Sequence, residues 1–227
     1  MSDIAKYLKN LQSRIGHAAD LVERDANDIR ILAVTKKQNV EQIYEAAELG
    51  LSSMGENYAQ EALRKISIVE KKLDWHFIGK LQSNKTSIIA KNFDWAHTIT
   101  SVKIAKKLNN QRSEKLPPLN ICIQVCTDPK TSHEGCKPEE TLTLCETIVD
   151  LPKLRLRGLM VLPHVFNEIN QQRIPFRQLR ILYTDLVNQG LELDTLSMGM
   201  SNDLEAAVME GSTMLRIGTA LFGNRPE

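Results

Sequence analysis

Ile31-Leu32-Ala33-Val34-Thr35-Lys36-Lys37 is a short apolar run with β-branched members that closes on two lysines. An unbroken apolar run of this length reads as a strand buried on both faces, as in a parallel sheet. Upstream of it, Ile4, Leu8, Leu11, Ile15, Ala18 and Val22 fall on one helical stripe, an amphipathic helix of about twenty residues. Downstream, Asn39 with Gln42 three residues on forms a variant capping box. Val40, Ile43, Tyr44 and Ala47 then continue a helix that Gly50 can end.

The strand–helix unit repeats down the chain. Strands are predicted at Leu51–Gly55, Trp75–Ile78, Trp95–Ile99, Leu119–Val125, Leu156–Val161, Thr195–Ser197 and around Met214-Leu215. Helices are predicted at Asn57–Glu70, after Ser83, from Ser101, at Glu139–Val149, within 169–189 and at Asp203–Met209. In the long one Phe176, Leu179, Leu182 and Leu186 share a face. Eight alternations predict a (β/α)8 TIM-type barrel with an extra N-terminal helix, an open doubly wound sheet being the competitor. The domain expectation is one unit over residues 1–227, with residues 1–28 packed on the barrel as the N-terminal helix. Pro117-Pro118 reads as a loop before the fifth strand.

Bulk properties narrow the function classes. The 227 residues are 42% hydrophobic and 25% charged, which is a globular balance. Twenty-nine basic and 28 acidic side chains give a formal charge of +1. There is no basic stripe for nucleic acid and no acidic tail. No apolar run approaches the ~20 residues that span a bilayer. The stretch MSDIAKYLKNLQSRI has no signal-peptide core, so the expected compartment is the cytoplasm. Cys122, Cys126, Cys136 and Cys145 form no C-x-x-C and no common zinc spacing, and read as thiols in a reducing compartment. The histidines make no metal spacing either. His76, between Trp75 and Phe77, reads as a core or mouth-lining histidine. Trp75, Trp95, Met198, Met200, Met209 and Met214 read as core, and Lys103, Lys106 and Lys107 as a solvated helix face.

In a barrel of this class reactive residues lie after the strands, at their C-terminal ends. That rule nominates Lys36 and Lys37, Glu56 and Asn57, the segment Gly79–Lys85, Met198–Asn202, and Arg216–Thr219. Loops after the seventh and eighth strands commonly bind phosphate. Gly199 and Gly218 let backbone amides approach an anion, and Ser201 and Thr219 add hydroxyls. Neither loop is a P-loop. A lysine amine at the same mouth, made neutral by low-dielectric surroundings, suits an aldehyde phosphate such as pyridoxal 5′-phosphate (PLP). It suits a sugar-phosphate aldolase equally, and the pattern does not choose between Lys36 and Lys37.

Seven blocks carry a resemblance. They are Ala33-Val34-Thr35-Lys36, Gly55-Glu56-Asn57-Tyr58, Trp75-His76-Phe77-Ile78-Gly79, Leu81-Gln82-Ser83-Asn84-Lys85, Gly158-Leu159-Met160, Leu196-Ser197-Met198-Gly199-Met200-Ser201 and Gly211 through Gly223. In order and spacing they resemble the pyridoxal phosphate homeostasis protein family, itself similar to the barrel domain of alanine racemase, a fold-type III PLP protein. The resemblance implies that Lys36 forms the Schiff base with PLP, and that Ser201, Gly218 and Thr219 hold the phosphate. It implies that Arg216 faces the pyridine nitrogen, that Asn57 lines the pocket, and that Met198 and Gly199 border it. A guanidinium only donates, so it would keep that nitrogen unprotonated and weaken the ring as an electron sink.

Cys126 stands where the family often has asparagine, Lys130–Lys137 departs from its usual loop, and Lys80 sits where the family varies, so no secondary lysine or loop contact is carried over. The resemblance implies a carrier that holds, buffers or delivers PLP to apo enzymes, without significant turnover. A racemase is the first alternative. It needs a second base, which in alanine racemase is a partner subunit's tyrosine beside an added β-domain. None of Tyr7, Tyr44, Tyr58 and Tyr183 has an evident claim to that role, and the expected state is a monomer.

Overall fold

The computed structural model describes residues 2–127 and 135–223. Of the family-departing segment 130–137, residues 130–134 lie outside these. Ser2 caps α1 (Asp3–Asp20), its side chain accepting from the Ala5 amide. Ile4, Leu8, Leu11, Ile15, Ala18 and Ala19 form its buried face, each larger side chain worth about 2 kcal/mol before entropy costs. Val22 falls in the turn after α1.

Eight parallel strands follow: β1 (Arg30–Val34), β2 (Ser53–Glu56), β3 (Asp74–Phe77), β4 (Trp95–Ile99), β5 (Leu119–Gln124), β6 (Leu154–Met160), β7 (Thr195–Ser197) and β8 (Met214–Ile217). They pair in sequence order, and β8 returns to β1 to close the barrel. The intervening helices are α2 (Val40–Glu48), α3 (Ala59–Ile68), α4 (Thr86–Asn92), α5 (Val102–Gln111), α6 (Pro138–Val149), α7 (Ile169–Asn188) and α8 (Leu204–Met209), with α9 (Thr219–Phe222) after β8. The predicted barrel is therefore observed, and the open sheet is excluded by the β1–β8 pairing. The Asn39–Gln42 capping box forms reciprocally. A short 3-10 turn at Ala26–Asp28 and α9 were not predicted.

The barrel interior is filled by Leu32, Val34, Ile78, Trp95, Cys122, Met160 and Met214, while a larger apolar layer lies between strands and helices. Between β5 and β6 the register shifts after Ile121, bringing Gly158 opposite Cys122. On its other side Gly158 pairs with Thr195, so closely that a Cβ there would lie 1.8 Å from the Thr195 carbonyl oxygen.

Helix α1 packs across α8 and α9. Arg14 clasps the Glu205 carboxylate at 2.7 and 3.0 Å and donates to the Ser201 carbonyl at 3.0 Å. Arg24 donates to the carbonyls of Val208 and Ser212. These contacts tie residues before β1 to the loops after β7.

Candidate functional site

A cleft of about 470 Å³ opens where β1, β2, β6, β7 and β8 end. Its walls include Lys36, Asn57, Ser201, Arg216, Gly218 and Thr219, so six of the eight nominated residues converge. Lys36 is half-buried and enters the cleft, whereas Lys37 is exposed in a turn at φ +62°. Strand alternation places Leu32, Val34 and Lys36 on the inner face, which decides between the two lysines.

Met198 and Gly199 are corrections. Met198 is fully buried in the layer outside the barrel, because it alternates with inward-facing Ser197. Gly199, at φ +95°, is needed for packing: a Cβ there would lie 2.5 Å from Ala207 Cβ and 2.6 Å from Leu215 Cδ2. Neither lines the cleft. Met200, expected in the core, does line it. Lys80 lines a neighbouring pocket with Thr98, Thr100 and Gln124 instead.

The phosphate-loop expectation has specific geometry. Ser201 Oγ accepts from the Ala220 amide at 3.1 Å, which leaves its own proton free to serve another acceptor. Thr219 begins α9 at the exposed edge. Asp203 accepts from the Met200 amide and fixes that loop. Burial pushes the Asp203 carboxyl up, with the Met200 amide and Arg216 opposing. Asn57 Oδ1 is buried with no hydrogen-bond partner among the described residues. Sequence reasoning missed Leu162, Val165, Phe166 and Gln172, which cover the cleft from beyond β6. The barrel-mouth rule applied to β6 would have nominated the loop, but its apolar composition carries no chemical signal.

The chain matches the alanine racemase N-terminal domain family over residues 8–226. It is 48% identical over 226 residues to the pyridoxal phosphate homeostasis protein of Pseudomonas aeruginosa, covering 99% of this chain and 97% of the relative. The Escherichia coli K12 protein of the same name is 43% identical over 229 residues, at 99% and 98% coverage. The chain belongs to the pyridoxal phosphate homeostasis protein family. A solved relative, PipY of Synechococcus elongatus with PLP bound, superposes at a TM-score of 0.82 with 33% identity, covering 92% of this chain and all of that one.

In this member of the pyridoxal phosphate homeostasis protein family, a polar ladder runs under the cleft. The Arg216 guanidinium is buried and donates to the Ser197 carbonyl, to Ser197 Oγ at 2.9 Å and to the Val161 carbonyl at 2.8 Å. Ser197 Oγ contacts His97 Nδ1 at 2.8 Å, and His97 Nε2 contacts His76 Nδ1 at 2.9 Å. Trp95 stacks on His76 with centroids 5.0 Å apart.

A guanidinium only donates, so the order that leaves fewest atoms unpaired is directional. Ser197 accepts from Arg216 and donates to His97, and His97 donates through Nε2 to His76. Of the ladder's own side-chain atoms, His76 Nε2 is then left without a partner among the described residues. Burial, with the charge of Arg216, lowers His97 to about 3. Burial, with His97 and Arg30, lowers His76 well below its ordinary value. Burial lowers Arg216 to about 10, so it stays charged at neutral pH. The neutral lone pairs of the ladder point toward that cation and solvate it.

Proposed function

We propose that this chain binds PLP in the cleft, with the Lys36 amine joined to it as a Schiff base, and that it holds and releases the cofactor rather than turning over a substrate. The observation that carries the reading is the convergence of Lys36, Ser201, Thr219 and Arg216 on one cleft. The donor set suits a phosphate: two hydroxyls and two basic side chains line the same cleft, against one carboxyl, Asp203, that burial pushes up. The unpartnered Asn57 oxygen offers an acceptor to a ligand donor.

PLP supplies an aldehyde and an electron-withdrawing ring. Lys36 would hold the cofactor through that aldehyde, its amine nitrogen taking the place of the carbonyl oxygen with release of water. Ser201, Gly218 and Thr219 hold the phosphate. Arg216, held by three acceptors, would offer a remaining donor to the ring nitrogen and keep it unprotonated. A ring held so is a poor electron sink, which supports storage over carbanion chemistry. The names of the relatives support a role in PLP homeostasis; apo PLP-dependent enzymes as recipients belong to the proposal.

The test is the visible spectrum of the protein with PLP, followed by borohydride reduction and peptide mapping. The expected result is a yellow band, lost in Lys36→Ala, with the reduced adduct on Lys36. An adduct on Lys37 or Lys80 would overturn the site, and a protein that stays colourless with PLP would overturn the cofactor. Racemase activity well above that of free PLP would overturn the carrier role. Ser201→Ala removes one hydroxyl donor to a charged group, worth about 2 kcal/mol. PLP affinity, read by titration, should fall by at least tenfold, and an unchanged affinity would remove Ser201 from the phosphate site.

A further inference from the structure

The turn that carries Lys36 is gripped from one side by three charged residues. Lys65 of α3, 6% exposed, points its ammonium back to the end of β1. Nζ donates to the Thr35 carbonyl at 2.6 Å, to Glu56 Oε1 at 2.7 Å and to Glu61 Oε1 at 2.7 Å. Glu56 Oε1 also accepts from Thr35 Oγ1 at 2.7 Å, and Glu61 Oε1 accepts from the Lys37 amide. The residue on either side of Lys36 is thus held through its backbone, and Thr35 through its hydroxyl as well.

The Lys37 backbone sits in the left-handed region, which a side chain other than glycine, asparagine or aspartate rarely adopts. Such a conformation persists only where its surroundings over-determine it. Glu61 and Lys65, one helical turn apart on α3, are part of that surround. A buried ion cluster is weak evidence for stability, since desolvation offsets much of the attraction. This one converges on a single turn, and that turn is the one that delivers the candidate amine.

We propose that Glu56, Glu61 and Lys65 are positioning residues that set the direction of Lys36 by clamping the Thr35–Lys36–Lys37 turn. The proposal rests on the reading of Lys36 as the amine that reacts with the PLP aldehyde. The clamp touches neither the phosphate loops nor Arg216, so it governs the covalent step and not the non-covalent fit. An amine misplaced by about 1 Å reacts up to about a hundredfold more slowly.

The experiment separates the two steps in the full-length chain. Affinity for 4′-deoxypyridoxine 5′-phosphate, which has no aldehyde, reports the fit. The rate of C=N formation with PLP, followed by stopped-flow absorbance, reports the aim of Lys36. Lys65→Met is expected to slow the covalent step by at least about tenfold, with affinity for the aldehyde-free analogue close to that of the unchanged protein. Glu61→Gln keeps an acceptor oxygen for the Lys37 amide and should be slowed less than Glu61→Ala. An unchanged covalent rate in Lys65→Met overturns the clamp. If Lys65→Met fails to fold, Glu61→Ala decides: a slowed rate supports the clamp and an unchanged rate overturns it. Should the unchanged protein bind the analogue yet form no bond at Lys36, the functional reading itself fails.

Discussion

Acidification from about pH 7.5 to about pH 4.5 is expected to lower the unfolding free energy of this chain by about 5 kcal/mol. The cause is the pair of buried histidines under the cleft. His97 is held near 3 and His76 well below 6.5 by burial, so both are neutral in the folded chain throughout this window. In the unfolded chain each takes up a proton below its ordinary value of about 6.5. The unfolded state therefore binds more protons, and stability falls as pH falls, by up to about 1.4 kcal/mol per pH unit for each histidine.

Glu56, Asp94 and Asp203, which burial pushes up, act in the opposite sense and flatten the curve. Glu61, Asp194 and Glu210 are lowered by partners that overcome their burial, and add to the loss only at more acid pH. Urea titrations at stepped pH measure the slope. His76→Phe retains a ring to stack on Trp95 and should remove about half of it. A stability that is level from pH 7.5 to 5 would show that the ladder is not neutral as described.

Gly158→Ala should lower the thermal midpoint by about 10 °C, corresponding to about 3 kcal/mol or more at this chain length. The new methyl would sit 1.8 Å from the Thr195 carbonyl oxygen, a backbone atom that cannot rotate aside. Relief requires β6 and β7 to part where they also carry Met160 and Ser197. Ser197 is the acceptor on which Arg216 rests, so damage at position 158 should reach the cleft. Thermal unfolding followed by circular dichroism measures the first effect. A midpoint within about two degrees of the unchanged protein would show that the strands separate at little cost.

The barrel was legible because parallel strands covered on both faces leave unbroken apolar runs, and eight of them stand between helical stripes. Boundaries slipped where a polar residue belongs to a strand. Glu56 extends β2 beyond Gly55 with Lys65 and Thr35 both donating to its Oε1, a partnership no local pattern displays. Helix α9 is four residues long and has no period to read. At the site, the two phosphate-loop hydroxyls and Arg216 were legible from the strand-end rule together with the resemblance. The strand-end rule alone left Lys36 and Lys37 level, and the resemblance named Lys36, which shares the inner face with Leu32 and Val34. Met198 was misplaced for a simpler reason, its alternation with Ser197, while the ladder needed pairing between strands remote in sequence.

The seam between α1 and the helices after β7 bears on how the protein is made. Arg14 and Arg24 wait for acceptors about 190 residues further along, at Ser201, Glu205, Val208 and Ser212. On a ribosome, α1 emerges long before any of them. Its apolar stripe stays uncovered through most of translation, and the mouth of the barrel cannot take shape until β8 has cleared the exit tunnel. The cleft that gathers Lys36, Ser201 and Arg216 therefore takes shape late, with the closing strand.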